Sequence, residues 1–196
     1  MPIKIEKTFQ VNEPLDKVWN FLSDPRKVAS CVPGAQITEA IDERTYRGSI
    51  KVQVGPSVTD YKGQARIERL DDQNHEIEMV GKGQDIRGKG SASMKLTGKV
   101  RALPDGGTEV VSVSEITVVG ILAQFGARMI NEVSNKMFEE FTANFQRQLQ
   151  EDRATDPAQE VAASATAAPR PIKAIPLVVS ALSSAVVRRV RQIFGK

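Results

Sequence analysis

The spacing of apolar side chains changes several times along the chain, and each change marks a predicted element. Residues 3–11 alternate apolar and polar side chains at period two, which predicts a first strand. Apolar residues then recur at helical spacing over residues 15–22, with Pro14 at the expected first helical position and Asp24-Pro25 as the stop. A second short helix is predicted around Val28, before Pro33-Gly34.

From residue 36 to residue 119 the period is two again, which predicts about six consecutive strands. Turn signals separate them at Gly55-Pro56, at residues 71–74 and at residues 104–107. Each strand has one apolar and one polar side, which is typical of antiparallel strands with one face in water. We therefore expect an antiparallel meander.

The inward rows of this sheet contain small and polar residues as well as large apolar ones. In the last strand, Ser112 and Ser114 face inward if Glu109 and Glu115 face water. The small inward residues are Gly63, Ala65 and Ala92.

After Gly120 the period becomes 3.6 for about thirty residues, which predicts a long helix with one apolar stripe. An antiparallel sheet with helices on one face is an α+β architecture, and the long helix must bury its stripe against the concave side of a curved sheet. Small residues on the sheet opposite Met and Phe on the helix leave two interpretations open: a solidly packed core, or a cavity. The stripe consists of Leu122, Phe125, Met129, Val133, Met137, Phe141 and Phe145.

Composition indicates a soluble globular protein, with 40% hydrophobic and 26% charged residues in 196. One cysteine, Cys31, excludes an internal disulfide and any Cys-cluster metal site, and one histidine, His75, leaves little material for zinc or a His-based triad. The charged N-terminus has no apolar stretch of the kind found in signal peptides, so we expect a cytoplasmic protein.

The net charge of +3 is unevenly distributed. Residues 1–150 contain 20 Lys/Arg and 20 Asp/Glu, so the excess lies entirely in the last 46 residues. A nucleic-acid-binding domain usually carries a basic face, and the neutral residues 1–150 argue against nucleic acid as a partner.

No pattern in the chain indicates an active site. The glycine-rich stretch GKGQDIRGKG, residues 81–90, joins two strands instead of opening a helix, so it is a weak nucleotide signal. It is predicted to border the mouth of any cavity. His75 is expected to be an exposed, inert turn residue and Cys31 a small packing residue. We therefore expect a protein that is not an enzyme and has no catalytic or metal-binding residues.

Four stretches carry a resemblance to a known family: residues 9–34 with the Cys-Val-Pro-Gly turn, YRGSIKVQVGPS at residues 46–57, residues 81–96, and GILAQFGARMI at residues 120–130. The order of elements resembles the helix-grip fold of the START/Bet v 1-like superfamily. The local motifs are similar to those of the carbon monoxide dehydrogenase CoxG family, over residues 3 to about 148.

This resemblance implies an accessory protein of a molybdenum-flavin-iron-sulfur dehydrogenase, carbon monoxide dehydrogenase being the leading choice. It implies a small hydrophobic ligand, a respiratory quinone (menaquinone or ubiquinone), held between the long helix and the sheet without a covalently bound cofactor. Tyr61, Ser112 and Ser114 are candidates to meet the quinone oxygens. The predicted cavity lining is Trp19, Leu22, Val32, Tyr61, Met79, Met94, Phe125, Met129, Val133 and Met137.

Two other functions stay open at this stage. The domain is either a purely structural factor that recruits the dehydrogenase to the membrane, with its interior filled by its own side chains, or an enzyme of the polyketide cyclase type, which shares the fold.

The end of the chain predicts a membrane-surface segment. Residues 174–187 form a charge-free run of 14 residues, shorter than the about 20 that a bilayer span requires. Wound as a helix, residues 177–196 separate an apolar side from an arginine-rich side, which is typical of interfacial helices. A partner-binding helix and a tilted span remain alternatives. The residues expected at the lipid surface are Leu182, Val186, Arg188, Arg189, Val190, Arg191, Ile193 and Phe194.

Three regions are therefore predicted: a helix-grip ligand-binding domain at residues 1–150, a disordered Ala/Pro-rich linker at residues 151–171, and an amphipathic basic anchor at residues 172–196. We expect the protein to be attached peripherally to the inner face of the cell membrane.

Overall fold

The computed structural model describes residues 2–154 except residue 56, and nothing of the side chains of residues 121, 153 and 154. The predicted membrane-surface segment, and the linker beyond residue 154, lie outside the described residues. Within them the elements are β1 Ile3–Val11, α1 Leu15–Leu22, α2 Pro25–Cys31, β2 Ala35–Ala40, β3 Thr45–Val54, β4 Ser57–Asp71, β5 Glu76–Asp85, β6 Gly90–Ala102, β7 Thr108–Gly120, a 3₁₀ helix Ile121–Phe125, and α3 Gly126–Ala154.

All seven strands form one antiparallel sheet in the order β1-β7-β6-β5-β4-β3-β2. The chain order β2 to β7 is a meander, and β1 joins beside β7. The predicted α+β fold is thereby confirmed: a seven-stranded curved sheet, a long C-terminal helix and two short helices.

Three predicted details of the helices are corrected. Pro14 is the N-cap of α1, with φ −61° and ψ 148°, so its extended backbone precedes the helix instead of beginning it. The segment after Gly120 is two helices, because Gly126 has φ 73° and ψ 171°, a conformation that ends the 3₁₀ helix before α3 starts. Helix α3 also continues past residue 150 to Ala154. The spacing of apolar residues continues across Gly126, which is why the sequence shows no break there.

The first of two core clusters joins α1, α2 and β1 to the C-terminal half of α3. Phe145 and Leu149 are 0% and 1% exposed, and Phe145 packs edge-on against Phe9 and Phe21 with ring centroids 5.6 Å and 5.0 Å apart. Asp24 caps α2 by accepting the Arg26 N–H at 2.8 Å. These contacts fix one end of α3 against the sheet edge and the short helices.

The second cluster lies at the start of α3. Its buried members Val54, Tyr61 and Leu122 are packed by partly buried side chains from β3, β6, β7 and the helices, namely Ile50, Val52, Ala92, Val118, Phe125, Met129 and Val133. The two clusters share no residue, so the buried core is divided along the helix.

Candidate ligand-binding cavity

The space between the two clusters is the candidate site. Strand register places Met79, Leu96 and Ser114 in one inward layer, and Gly81, Met94 and Ile116 in the next. Each of the large apolar residues in these layers is only partly buried although it faces the helix side of the sheet. Met137, on the α3 stripe between the clusters, is also partly buried. Apolar side chains therefore line this interior without closing it.

Gly81 gives the clearest measure of the free space. A Cβ atom added at Gly81 would meet only the terminal carbon of Met94, at 3.9 Å. By contrast, a Cβ at Gly98, in a neighbouring inward layer, would lie 2.9 Å from Ile77. The interior is thus open above the middle of β5, whereas it is tightly packed at Gly98, nearer the first cluster.

A recess of about 240 Å³ opens at the end of the sheet where the 3₁₀ helix begins. Tyr61 and Leu122, both members of the second cluster, form its inner wall, and Arg87 and Lys89 from the β5–β6 turn form its rim. The glycine-rich stretch therefore borders an opening beside the second cluster, as its sequence suggested. The buried Asp85 carboxylate stabilises this turn by accepting the Arg87 N–H at 2.7 Å.

Tyr61 places a phenol at this opening. Burial, with a smaller contribution from the charge of Asp85, raises the pKa of Tyr61 above its ordinary value of 10.0. The phenol therefore keeps its proton at physiological pH and can donate a hydrogen bond to a carbonyl oxygen.

Polar groups also face the interior from the β1 side of the sheet. Ser112 and Ser114 share inward layers with Lys7 and Ile5, which agrees with the strand parity in which Glu109 and Glu115 face water. The Ser112 hydroxyl lies 3.5 Å from the Lys7 carbonyl oxygen. Because β7 and β4 are separated by β6 and β5, the two serines and Tyr61 line different parts of the interior.

Lys7 is an inward polar residue that the sequence reasoning missed. Its amine donates to Asn135 on α3 and lies 5.4 Å from the centroid of the Phe138 ring. A lysine in the apolar row of β1 was the available signal, although its partner on α3 is 128 residues away in the chain.

The structure divides the predicted lining residues between regions. Tyr61, Phe125, Met129 and Val133 come together in the second cluster. Trp19 and Leu22 instead pack in the first cluster, and Val32 is the C-cap of α2. The remaining three predicted residues, Met79, Met94 and Met137, lie between the clusters.

His75 and Cys31 have structural surroundings. His75 is partly buried, not exposed as predicted, because its ring packs edge-on against Trp19 at 5.4 Å. Cys31 is 0% exposed, and burial raises the pKa of its thiol. Within residues 2–154, apart from residue 56, no three His, Cys, Asp or Glu side chains are grouped so as to hold a metal ion.

The helices of the described region were also compared with the requirements of a bilayer span. None of them combines sufficient length with sufficient hydropathy to cross a membrane.

Solved structures similar to this chain share its fold. A conserved protein from Geobacillus kaustophilus matches with TM-score 0.69 and 17% identity, covering 76% of this chain and 96% of its own. The Zhui aromatase/cyclase from Streptomyces sp. R1128 matches with TM-score 0.58 and 16% identity, over 81% and 98%. A START superfamily protein from Mycobacterium smegmatis matches with TM-score 0.53 and 10% identity, over 76% and 98%.

The sequence comparisons identify the family. A search of the curated proteins finds no match to the chain. The family model of carbon monoxide dehydrogenase CoxG matches residues 8–150, which includes nearly all of the described fold. The chain therefore belongs to the carbon monoxide dehydrogenase CoxG family, a family of dehydrogenase accessory proteins, and has a START-like fold.

Proposed function

We propose that this protein carries a respiratory quinone, menaquinone or ubiquinone, between the membrane and a molybdenum-containing carbon monoxide dehydrogenase. The quinone occupies the space between α3 and the sheet, and the dehydrogenase reduces it with two electrons and two protons to the quinol. The protein itself supplies binding and delivery, and the redox chemistry belongs to the dehydrogenase and the quinone.

The open interior above Gly81 is the observation that carries this proposal. The residues around it, Met79, Met94 and Met137, are apolar and flexible, so they adapt to a ring or an isoprenoid chain. Burial of the ligand's apolar surface contributes about 25 cal/mol per Å². Tyr61 at the opening, and Ser112 and Ser114 further inside, supply hydrogen bonds to the quinone oxygens at either end of the space.

The direct test is the ligand itself. Lipid extracted from the purified full-length protein is analysed by mass spectrometry, and the emptied protein is titrated with short-chain menaquinone and ubiquinone. We expect a quinone in the extract and saturable binding of one molecule per chain. An extract without quinone, together with no binding on titration, would contradict the carrier function and favour a factor that only recruits the dehydrogenase.

The membrane link is the second part of the proposal. The chain would attach to the inner face of the cell membrane through residues 172–196, whose arginines each contribute about 1 kcal/mol at an anionic surface. Deleting these residues should abolish sedimentation with anionic vesicles, and replacing Arg188, Arg189 and Arg191 by Gln should weaken it. If the shortened protein still sediments with the vesicles, the membrane-binding surface lies elsewhere.

A further inference from the structure

A groove of about 900 Å³ crosses the outer face of the sheet, which is the face opposite α3. It is lined by residues of six strands, from Thr38 on β2 to Thr117 and Val119 on β7. Its floor is the backbone of four small residues whose inward layer is continuous across the sheet: Gly48, Gly63, Gly83 and Ala92.

Two parallel rows of side chains form the walls of this groove. One row runs through Arg47, Gln64, Lys82 and Ser93, and the other through Ser49, Lys62, Gln84 and Ser91; in each row, neighbours are directly opposite each other on adjacent strands. Residues two apart on a strand are about 6.7 Å apart, so the walls are parallel and narrowly separated.

Glycine is required in the floor at two of these positions. A Cβ at Gly63 would lie 1.9 Å from the Lys82 carbonyl oxygen, and one at Gly48 would lie 2.5 Å from the Gln36 carbonyl oxygen. The sheet could not hold this curvature with side chains at either position. The groove is therefore a feature of the folded sheet and not of side-chain placement alone.

The lining is basic and contains no carboxylate. Arg47 is paired with Glu39, whereas neither Lys62 nor Lys82 has an ion-pair partner among the described residues. Lys62 and Lys82 are on opposite walls and on adjacent strands, in a diagonal arrangement that puts their backbones about 7–8 Å apart. One carboxylate placed between them can contact both amines.

The dimensions fit one extended polypeptide chain. Five strand spacings of about 4.8 Å make the groove about 24 Å long, so 900 Å³ corresponds to a mean cross-section of about 38 Å². An α-helix, about 10 Å in diameter, requires roughly twice that area. A flat bilayer surface does not enter a recess of this shape, and no aromatic side chain lines it for stacking on a nucleic-acid base.

From the charge and the shape together, we infer that this groove binds an extended acidic segment of a partner polypeptide. Lys62 and Lys82 bind its carboxylates, while Gln64, Gln84 and the serines of both walls bind its backbone amides. Because the groove is on the opposite face of the sheet from α3, its occupant leaves the interior free. The inference does not depend on the ligand carried inside.

The test uses the full-length protein and a fluorescein-labelled peptide of alternating Glu and Ser residues, followed by fluorescence anisotropy at low ionic strength. The double variant Lys62→Gln/Lys82→Gln should bind this peptide about tenfold more weakly than the wild type. The matched control, Lys4→Gln/Lys136→Gln, removes the same charge from exposed positions outside the groove and should change affinity less than about twofold. The arginines near the end of the chain are present in all three proteins, so their contribution cancels.

A second measurement locates the peptide. Hydrogen exchange with and without the peptide should show protection at residues 47–49, 62–64, 82–84 and 91–93. Equal losses of affinity in both double variants, or equal binding of a peptide with Gln in place of Glu, would overturn the inference. A Lys62→Gln/Lys82→Gln protein that keeps the peptide but loses anionic vesicles would also overturn it and assign the groove to lipid headgroups.

Discussion

Trp19 is a residue whose contacts are well defined at one end of the molecule. It is 5% exposed, and its Nε1–H donates to Asp72 Oδ1 at 2.8 Å, linking α1 to the β4–β5 turn. Trp19→Phe removes this bond and should lower the free energy of unfolding by about 1–2 kcal/mol. Asp72→Asn keeps an acceptor oxygen and should cost less. Urea denaturation measures both, and a Trp19→Phe protein as stable as the wild type would contradict the role of the bond.

Glu76 is the centre of an ion-pair network on the outer surface of β4, β5 and β6. It lies 2.7 Å from Lys99 and 2.8 Å from Arg69, and hydrogen bonds from these two residues, Lys99 first, hold the pKa of Glu76 below its ordinary value of 4.5. Asp71 and Glu109 are likewise stabilised in the ionised form, with lowered pKa values, mainly by Asn74 and Arg101 respectively.

These lowered pKa values predict how stability depends on pH. The folded state binds protons less readily than the unfolded state, so the stabilisation is complete above pH 4.5 and is lost as the pH falls through the lowered values. Glu76→Gln should therefore lose less stability than the wild type between neutral and acid pH, as measured by urea denaturation across that range. Parallel losses in the two proteins would show that the network does not contribute, and added salt should reduce the difference.

Single residues show where sequence reasoning reached the right environment and where it did not. The burial of Cys31 and the inward position of Ser112 and Ser114 followed from pattern alone. The pairing of Lys7 with Asn135 did not, because the two residues belong to elements at opposite ends of the described chain. The turn position of His75 predicts an exposed ring, but the ring of Trp19 covers it.

At the scale of elements, Gly126 separates the 3₁₀ helix from α3. Its φ of 73° and ψ of 171° belong to a region that is essentially restricted to glycine, and a Cβ there would meet nothing within 4 Å. Gly126→Ala should therefore cost about 1–3 kcal/mol through backbone strain alone. The neighbouring helix substitution Ala127→Ser should change stability by less than about 0.5 kcal/mol. Thermal unfolding compares them, and equal midpoints would contradict the assigned strain.

The existence and type of nearly every element followed from periodicity, because strand and helix patterns are local. The sheet parity followed as well, since one polar and one apolar face determine which residues point inward. The break at Gly126 was not visible, because Phe125 and Met129 continue the helical spacing across it. A single glycine in a helical pattern is compatible with an unbroken helix.

At the scale of the whole molecule, the two features most relevant to function depend on register between strands. The outer groove exists because Gly48, Gly63, Gly83 and Ala92 lie side by side on four strands. The open interior exists because Gly81 lies beside Met94 and opposite α3. Neither arrangement is encoded within one strand, so the sequence pattern left a packed core and a cavity as equal alternatives.

The central claim is that the helix and the sheet enclose space for an apolar ligand, and filling that space tests it most directly. Gly81→Leu places a side chain in the opening, whereas Val80→Leu enlarges the neighbouring residue on the outer face. Titration of both variants and the wild type with short-chain menaquinone and ubiquinone should show at least about tenfold weaker binding for Gly81→Leu only, a loss of about 1.4 kcal/mol. Thermal unfolding should confirm that both variants fold. Unchanged quinone affinity in a folded Gly81→Leu protein would contradict the account.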